Sequence, residues 1–349
     1  MSHMTYLEAS VVGLVQGVTE LFPVSSLGHN VLIPALVGGS WASDLNVAAP
    51  ESPYLAFIVG LHVATALAMM IYFWRDWVRI IGAFFSSIRD REIASVDQKL
   101  AWMIILATVP VGIAGLAFEH EFRVLFGKPI LAAVFLVING LILYAGERFR
   151  TRKSLAADRQ VAGEENAPVR ARAMAADTVM AETRAETRAG PAGAVPGVAA
   201  HASGQRAARQ QEATRSVHAD RRLVGVGYRE ALIIGSAQIL ALLAGISRDG
   251  VVMVTGMFRG LSRQDAARFS FLLSTPVILA AGVLKVPDLT GRLGDGIHGQ
   301  ILVGSILSGV GAYVSVRYLM KYFQTRTLTP FAIYCLVFGL GSIVYLSVR

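Results

Sequence analysis

The sequence predicts an all-α polytopic membrane protein built from two inverted-topology repeats, each a broken, re-entrant helix pair plus three transmembrane helices. Three observations carry that expectation. The 349-residue chain is 54% hydrophobic and only 16% charged, with a mean hydropathy of +0.53, beyond what a water-soluble domain carries. Several runs of about 17–22 residues hold no Asp, Glu, Lys or Arg, the length a bilayer-crossing helix needs. Two stretches, Gln16–His29 and Gln238–Gly250, interrupt apolar segments with polar residues in the same order.

Residues 5–37 read as two helices too short to span, meeting at Pro23-Val24-Ser25-Ser26. Gln16 and Glu20 are four apart and share a helix face. Pro23 stops that helix, and Ser25-Ser26 stand where N-cap residues open a second one, Leu27–Val37. His29, three residues after Ser26, falls on the same side of the new helix. A broken helix with polar groups at the break is costly in lipid unless the break lines a site. Full spans are expected at Tyr54–Trp74, Leu100–Phe118 and Ile130–Gly146. Residues 147–222 are rich in Ala, Arg, Glu, Gly and Gln and nearly free of aromatics, the composition of a disordered or marginally helical tether. The pattern then restarts. Gly225–Leu243 is mostly apolar, breaks at Ala244–Gly250 and continues to Phe258, followed by spans at Phe269–Val286, Ile297–Val316 and Leu328–Leu346. The expected domains are 1–146, 147–222 and 223–349.

The halves align locally. Gln16 precedes Ser25 by nine residues and Gly28 by twelve, and Gln238 stands in the same relation to Ser247 and Gly250, an internal repeat. The net charge of +8 is no sign of nucleic acid, because loops 75–99, 147–222, 259–268 and 317–327 hold nearly all the Lys and Arg while 38–53 has none. Placing the basic loops in the cytoplasm orients every span at once. An odd number of spans per half then makes the second half enter from the opposite side. In such folds the broken helices meet near the midplane, and their N-termini carry free N–H groups and partial positive charge. The one cysteine, Cys335, lies in a span, which excludes a disulfide framework and a Cys-based metal site. No removable signal peptide is expected at the N-terminus.

Bringing the two breaks together collects Glu20, Ser25, Ser26 and His29 with Ser247, Arg248 and Asp249. Two helix N-termini plus an arginine describe an anion site, and phosphate suits a guanidinium fork. Ser247 can cap its helix and donate to the same ligand. Ser26 and His29 have the spacing of a hydroxyl nucleophile with its base, or of a hydroxyl donor beside a histidine nucleophile. Glu20 is suited to orient His29, to act as a base itself, or to help hold a divalent cation. Plainer roles stand beside these: helix capping for Ser25-Ser26, interhelical hydrogen bonds for Gln16 and Gln238, and an ion pair of Arg248 with Glu20 or Asp249. His62, inside the first span, has no polar neighbours in sequence and reads as, at most, a second layer around the site. Asn139 and Thr108 read as packing residues, and Arg259, Arg263 and Arg268 as orientation charges. His120, His201, His218 and His298, in loops or at span ends, are given no role.

Two motifs are recognisable as they stand. GLVQGVTELFPVSSLGH (13–29) resembles the first signature of the bacterial undecaprenyl-diphosphate phosphatases, the bacitracin-resistance family. IGSAQILALLAGISRDG (234–250), followed by RGLSRQDAARFSFLLSTPVIL (259–279), is similar to the second signature region. The resemblance covers essentially everything except 147–222. It implies a hydrolase of the bacterial plasma membrane that removes the terminal phosphate of undecaprenyl diphosphate. The monophosphate carrier is thereby recycled for peptidoglycan, and bacitracin competes for the same lipid. It further implies a divalent cation (Mg or Ca), re-entrant inverted repeats and a site facing the outer side. Matched by position are Glu20, Ser26, His29, Ser247 and Arg248, with Ser25 beside them at the substrate. The chain departs from the pattern in places: Gln16 holds the leading acidic position, Ala244 stands for a proline, and Asp249 replaces a serine. Asp249 is a candidate second cation ligand beside Glu20. Val252 stands where a threonine is expected, which makes Thr255, one turn on, the candidate substitute at the substrate. Attack by Ser26 with His29 assisting is the expected mechanism, ahead of a phosphohistidine at His29 or direct attack by water. The rival class is a polyprenyl-phosphate transporter or flippase, because inverted repeats around broken helices are transporter architecture. The expected partners are the membrane lipids and the lipid substrate, with no nucleic acid.

Overall fold

A computed structural model describes residues 4–46, 53–118, 128–150, 220–290 and 296–348. The chain divides into one unit formed by Met1–Glu147 with Asp220–Arg349 and another, Arg148–Ala219. Of the second unit only residues 148–150, the end of a helix, are described. The expected tether therefore falls largely outside the described residues, as do His120, His201 and His218.

Every regular element among the described residues is helical. The first broken pair is α1 (Tyr6–Thr19) and α2 (Ser26–Val37), followed by a short α3 (Ser40–Asp44). A reciprocal cap opens α1: Thr5 Oγ1 accepts from the Glu8 N–H at 3.2 Å while the Glu8 carboxylate accepts from the Thr5 N–H at 2.7 Å, which satisfies two donors that a helix start leaves open. Next come α4 (Pro53–Tyr72), α5 (Trp74–Asp90), α6 (Val96–Ala117) and α7 (Pro129–Arg150). After residue 219 the chain forms α8 (Asp220–Val226), α9 (Tyr228–Ser236) continuing as a 3₁₀ turn (Ala237–Leu242), and α10 (Arg248–Phe258). Finally come α11 (Arg263–Thr290), α12 (His298–Thr325) and α13 (Thr329–Val348). Six helices, α4, α6, α7, α11, α12 and α13, are long and apolar enough to cross a membrane, three on each side of the tether as the hydropathy predicts. The chain is a polytopic membrane protein.

Two elements differ from expectation. Residues 75–99 were expected to be loop, yet α5 occupies most of them. Its charges, among them Arg75, Asp76, Arg79, Arg89 and Asp90, end every charge-free run. Trp74, Val78, Ile81, Phe85 and Ile88 nonetheless recur at helical spacing and stay exposed along one face, as in a helix lying along a bilayer surface. The second difference is an added bend. α8 meets the α9 segment at 90°, and Gly227 supplies the positive φ of 88° that this corner needs.

Small residues set the close helix crossings. A Cβ at Gly13 would collide with the backbone of Gly304, and one at Gly17 with the backbone of Ser308, so α1 lies directly against α12 in small-xxx-small packing. Gly235 of α9 sits in the same way on the backbone of Ala107 in α6. These contacts fix the arms that carry the two breaks.

At the end of the molecule that holds the basic loops, the arginines are paired. Buried Asp220 binds Arg268 at 3.0 Å and also Arg79, while Arg79 reaches Asp97 at 2.7 Å and Asp76 at 3.0 Å. Burial works against the Arg79 charge, but the hydrogen bond and charge of Asp220, with Asp97 and Asp76, hold its guanidinium above the ordinary value. Arg259 pairs with Glu230 at 2.8 Å, and Arg263 with Glu147. Arg259, Arg263 and Arg268 therefore hold helices together, in addition to any part in orientation.

Candidate functional site

The first break is built by its own sequence. α1 ends with the Glu20 N–H still bonded to the Gln16 carbonyl at 2.9 Å. Buried Leu21 and Val24 then anchor the turn through Pro23. Ser25 takes φ 68° and ψ 98°, a conformation rare for a residue with a side chain. Its hydroxyl accepts from the Gly28 N–H at 3.2 Å and so caps α2. The second break repeats the device, with Ser247 Oγ accepting from the Gly250 N–H at 3.1 Å and capping α10.

The two breaks touch. Gly245 (φ 109°) donates its N–H to Ser25 Oγ at 3.2 Å, and a Cβ on Gly28 would stand 3.0 Å from Gly245 Cα. A side chain at Gly245 would also strike the α7 backbone at Ala132. Asn139 of α7, expected to be packing, ties both turns: its amide donates to the Pro23 carbonyl at 3.0 Å and its oxygen accepts from the Ser247 N–H at 3.0 Å.

Glu20 is the hub of the cluster. Its Oε1 accepts from Arg248 Nη2 at 2.5 Å. Its Oε2 accepts from Ser26 Oγ and, at 2.9 Å, from Gln16 Nε2. Gln16 is held in turn by Asn30, whose Nδ2 donates to its Oε1 at 2.6 Å. His62 Nε2 lies 3.4 Å from Glu20 Oε2. The chain signal for His62 was only its presence inside a span; its partner arrives from another helix, so sequence neighbours could not reveal it. Glu20 is buried while Arg248 keeps 16% side-chain exposure, and Arg248 Nε is a buried donor with no acceptor among the described residues. A donor left open beside two helix N-termini is what an anionic ligand would satisfy.

His29 is elsewhere than its spacing predicts. Its Nδ1 lies 2.7 Å from the Ser25 carbonyl and its Nε2 2.6 Å from the Tyr334 hydroxyl. Both ring nitrogens are engaged, and the partner of Ser26 is Glu20. The i,i+3 spacing puts Ser26 and His29 on one side of α2, but the ring turns back to its own N-cap carbonyl and out to α13.

Asp249 is bonded to α11. Its Oδ1 accepts from Ser270 Oγ at 2.6 Å and Ser274 Oγ at 2.8 Å, both on α11, and its Oδ2 is buried without a partner among the described residues. Thr255 lies seven residues along α10 from Arg248, about 10 Å down the axis, outside the hydrogen-bonded cluster; Val252 is buried in the core. Among the described residues no three His, Cys, Asp or Glu side chains converge on a metal position. A divalent cation would be held here by the Glu20 carboxylate, with ligand oxygens completing its shell, a mode magnesium commonly uses with phosphates. Asp249 would offer a cation only Oδ2, because the two serines hold Oδ1.

Fold and site together define a class: a polytopic membrane protein with a buried hydroxyl, carboxylate and guanidinium gathered from two helix breaks, suited to phosphate chemistry. Comparison with known proteins narrows that class. The family model described as bacitracin resistance protein BacA matches residues 9–172 and 190–341, and the chain belongs to that family. It is 54% identical over 348 residues to an undecaprenyl-diphosphatase of Mycolicibacterium paratuberculosis, covering 100% of this chain and 99% of the relative. It is likewise 54% identical to undecaprenyl-diphosphatase 2 of Frankia alni, covering 97% of each. An undecaprenyl-diphosphatase 2 of Burkholderia orbicola is 34% identical over 94% of this chain and 92% of its own length.

Proposed function

We propose that this chain is an integral-membrane phosphatase that hydrolyses undecaprenyl diphosphate to undecaprenyl phosphate and inorganic phosphate, returning the lipid carrier to peptidoglycan synthesis and conferring bacitracin resistance. The observation that carries the mechanism is the position of Glu20, bonded at once to Ser26 of its own break and to Arg248 of the other.

The terminal phosphate lies over the N-termini of α2 and α10, where Arg248 Nε and the helix N–H groups accept its charge. Ser26 Oγ attacks the terminal phosphorus as its proton passes to Glu20 Oε2. The bond to the bridging oxygen breaks, Glu20 gives its proton to that oxygen, and undecaprenyl phosphate leaves. Water then attacks phosphoserine-26 with Glu20 taking its proton; the proton returns to Ser26 Oγ as inorganic phosphate departs. Arg248 offsets the developing negative charge in both steps. A divalent cation, Mg or Ca, would be held by Glu20 together with the diphosphate oxygens and would supply further charge stabilisation. The lipid tail lies between spans, and bacitracin competes by taking the same diphosphate.

We place the two halves in opposite orientation, with the basic loops and the tether 147–222 in the cytoplasm and the site toward the outer face. Reciprocal packing supports this arrangement: α1 of the first half lies on α12 of the second, and α9 of the second on α6 of the first. The charge bias of the loops supports the direction.

Phosphate release from a long-chain polyprenyl diphosphate by purified protein in detergent tests the reading. Wild type is expected to release phosphate in a chelator-sensitive way, and Ser26→Ala and Arg248→Ala are expected to lose it. A folded wild type that binds the lipid without releasing phosphate would replace this reading with the transporter.

A further inference from the structure

We infer that Tyr334 is a positioning residue of this site, acting through His29 on the strained turn at Ser25. The inference rests on the phosphatase reading and deepens it.

His29 is buried, and its two bonds dictate its form. A carbonyl only accepts, so the nitrogen facing the Ser25 oxygen at 2.7 Å, Nδ1, carries the proton. In the neutral imidazole Nε2 is then the acceptor, and the Tyr334 hydroxyl at 2.6 Å donates to it. The ring is stacked as well as bonded. It stacks on Tyr334 with centroids 5.7 Å apart and planes 6° apart, and on Phe338 at 5.2 Å and 11°. Tyr334 and Phe338 are four apart on α13 and stack on each other, so one face of that helix presents both rings to α2.

Ser25 sits at φ 68°, a conformation that persists only where the surroundings over-determine it. Its hydroxyl is fixed by the N–H groups of Gly28 and Gly245, and its carbonyl by the His29 ring and, at 3.2 Å, the His29 N–H. The next residue is Ser26, whose Oγ must meet Glu20. Tyr334 therefore fixes the tautomer and plane of His29, His29 fixes the Ser25 carbonyl, and that carbonyl sets where the Ser26 hydroxyl points. The same contact occupies the lone pair that His29 would need as a base, so proton transfer from Ser26 is left to Glu20.

Tyr334→Phe keeps the ring stack and removes only the hydroxyl. Its kcat for phosphate release is expected to fall about tenfold with KM for the polyprenyl diphosphate within about twofold, because a misplaced nucleophile affects the transition state more than binding. Nitrogen-15 spectra of histidine-labelled protein are expected to show the Nδ1–H form of His29 in wild type and a mixture of tautomers in the variant, a change that general loosening of α13 would not produce. The double variant His29→Gln with Tyr334→Phe is expected to be no slower than His29→Gln alone. Unchanged kcat and tautomer in Tyr334→Phe, or additive losses in the double variant, would overturn the inference. Should the variant not be recovered folded, the wild-type spectrum decides, since an Nε2–H form overturns the inference directly. Wild type assayed in parallel separates the two readings. No release from wild type overturns the phosphatase, whereas normal release with an indifferent Tyr334→Phe overturns only the role of Tyr334.

Discussion

At the first break Ser25 caps α2 through the Gly28 N–H at 3.2 Å; at the second Ser247 caps α10 through the Gly250 N–H at 3.1 Å. Each capped helix then leans on the last span of a half, α2 on α13 through His29 and Tyr334, α10 on α7 through Ser247 and Asn139. Beyond the shared Gln, Ser and Gly the corresponding residues diverge. Glu20 aligns with Leu242, Ser26 with Arg248 and His29 with Val251. Gln16 binds the Glu20 carboxylate, whereas Gln238 donates to backbone carbonyls of Gly235 and Ala107. On the proposed mechanism one backbone device is furnished twice, once with a nucleophile and its base and once with an anion receptor. Neither break holds a complete site, which is why their contact matters as much as either.

The largest effects are expected where the division of labour is removed outright. Ser26→Ala and Glu20→Gln are each expected to lower kcat by at least about 10³-fold, the scale of losing a nucleophile or its base; phosphate release under saturating lipid measures it. Retained turnover in Ser26→Ala would break the assignment of the nucleophile to the first break. Arg248→Lys keeps a charge but loses the planar fork, and about 10²-fold in kcat/KM is expected. The same loss carried wholly by a higher KM, with kcat unchanged, would mean that the second break only holds substrate. Asn139→Ala leaves the Ser247 N–H unsatisfied in the interior and the Pro23 carbonyl with only the Cys335 thiol, at 3.9 Å, so it is expected to cost about 2 kcal/mol of stability, with kcat falling as the breaks separate. Thermal unfolding in detergent alongside turnover would show whether the two losses travel together.

Much of this comparison was legible before any coordinates. The spans follow from charge-free apolar runs, and both caps follow from a serine placed three residues before a glycine after an interruption, because each signal is local in sequence. The contacts that complete the site are not local. His62 reaches Glu20 from α4, Asn139 reaches Pro23 from α7, and Tyr334 reaches His29 across most of the chain; single-sequence spacing carries no trace of such approaches. Spacing also misled where a side chain had two choices. Ser26 and His29 do share a side of α2, yet the histidine found a backbone carbonyl and a tyrosine, and the serine found the carboxylate. Asp249 was legible as a carboxylate near an arginine, but not as one held by Ser270 and Ser274. The α5 helix was missed because its arginines interrupt the windows that betray a span, although its apolar stripe has helical spacing.

The smallest expected difference tests the caps themselves, where the two breaks look most alike. Ser247 Oγ accepts one backbone N–H, from Gly250, whereas Ser25 Oγ accepts two, from Gly28 of its own helix and Gly245 of the other break. Removing the Ser247 hydroxyl orphans one donor and is expected to cost about 1 kcal/mol, the usual value of a helix cap. Ser25→Ala orphans two donors, one of them at the junction, and is expected to cost about 2 kcal/mol. It also frees a residue that has little intrinsic preference for its φ of 68°, so its turnover should fall more than its stability alone accounts for. Paired melting and turnover measurements on the two alanine variants read this directly. Equal losses would mean that the Gly245 contact contributes nothing and that Asn139 and the Glu20–Arg248 pair join the breaks. A larger loss at Ser25 would place the junction of the halves on the strained turn that also aims Ser26.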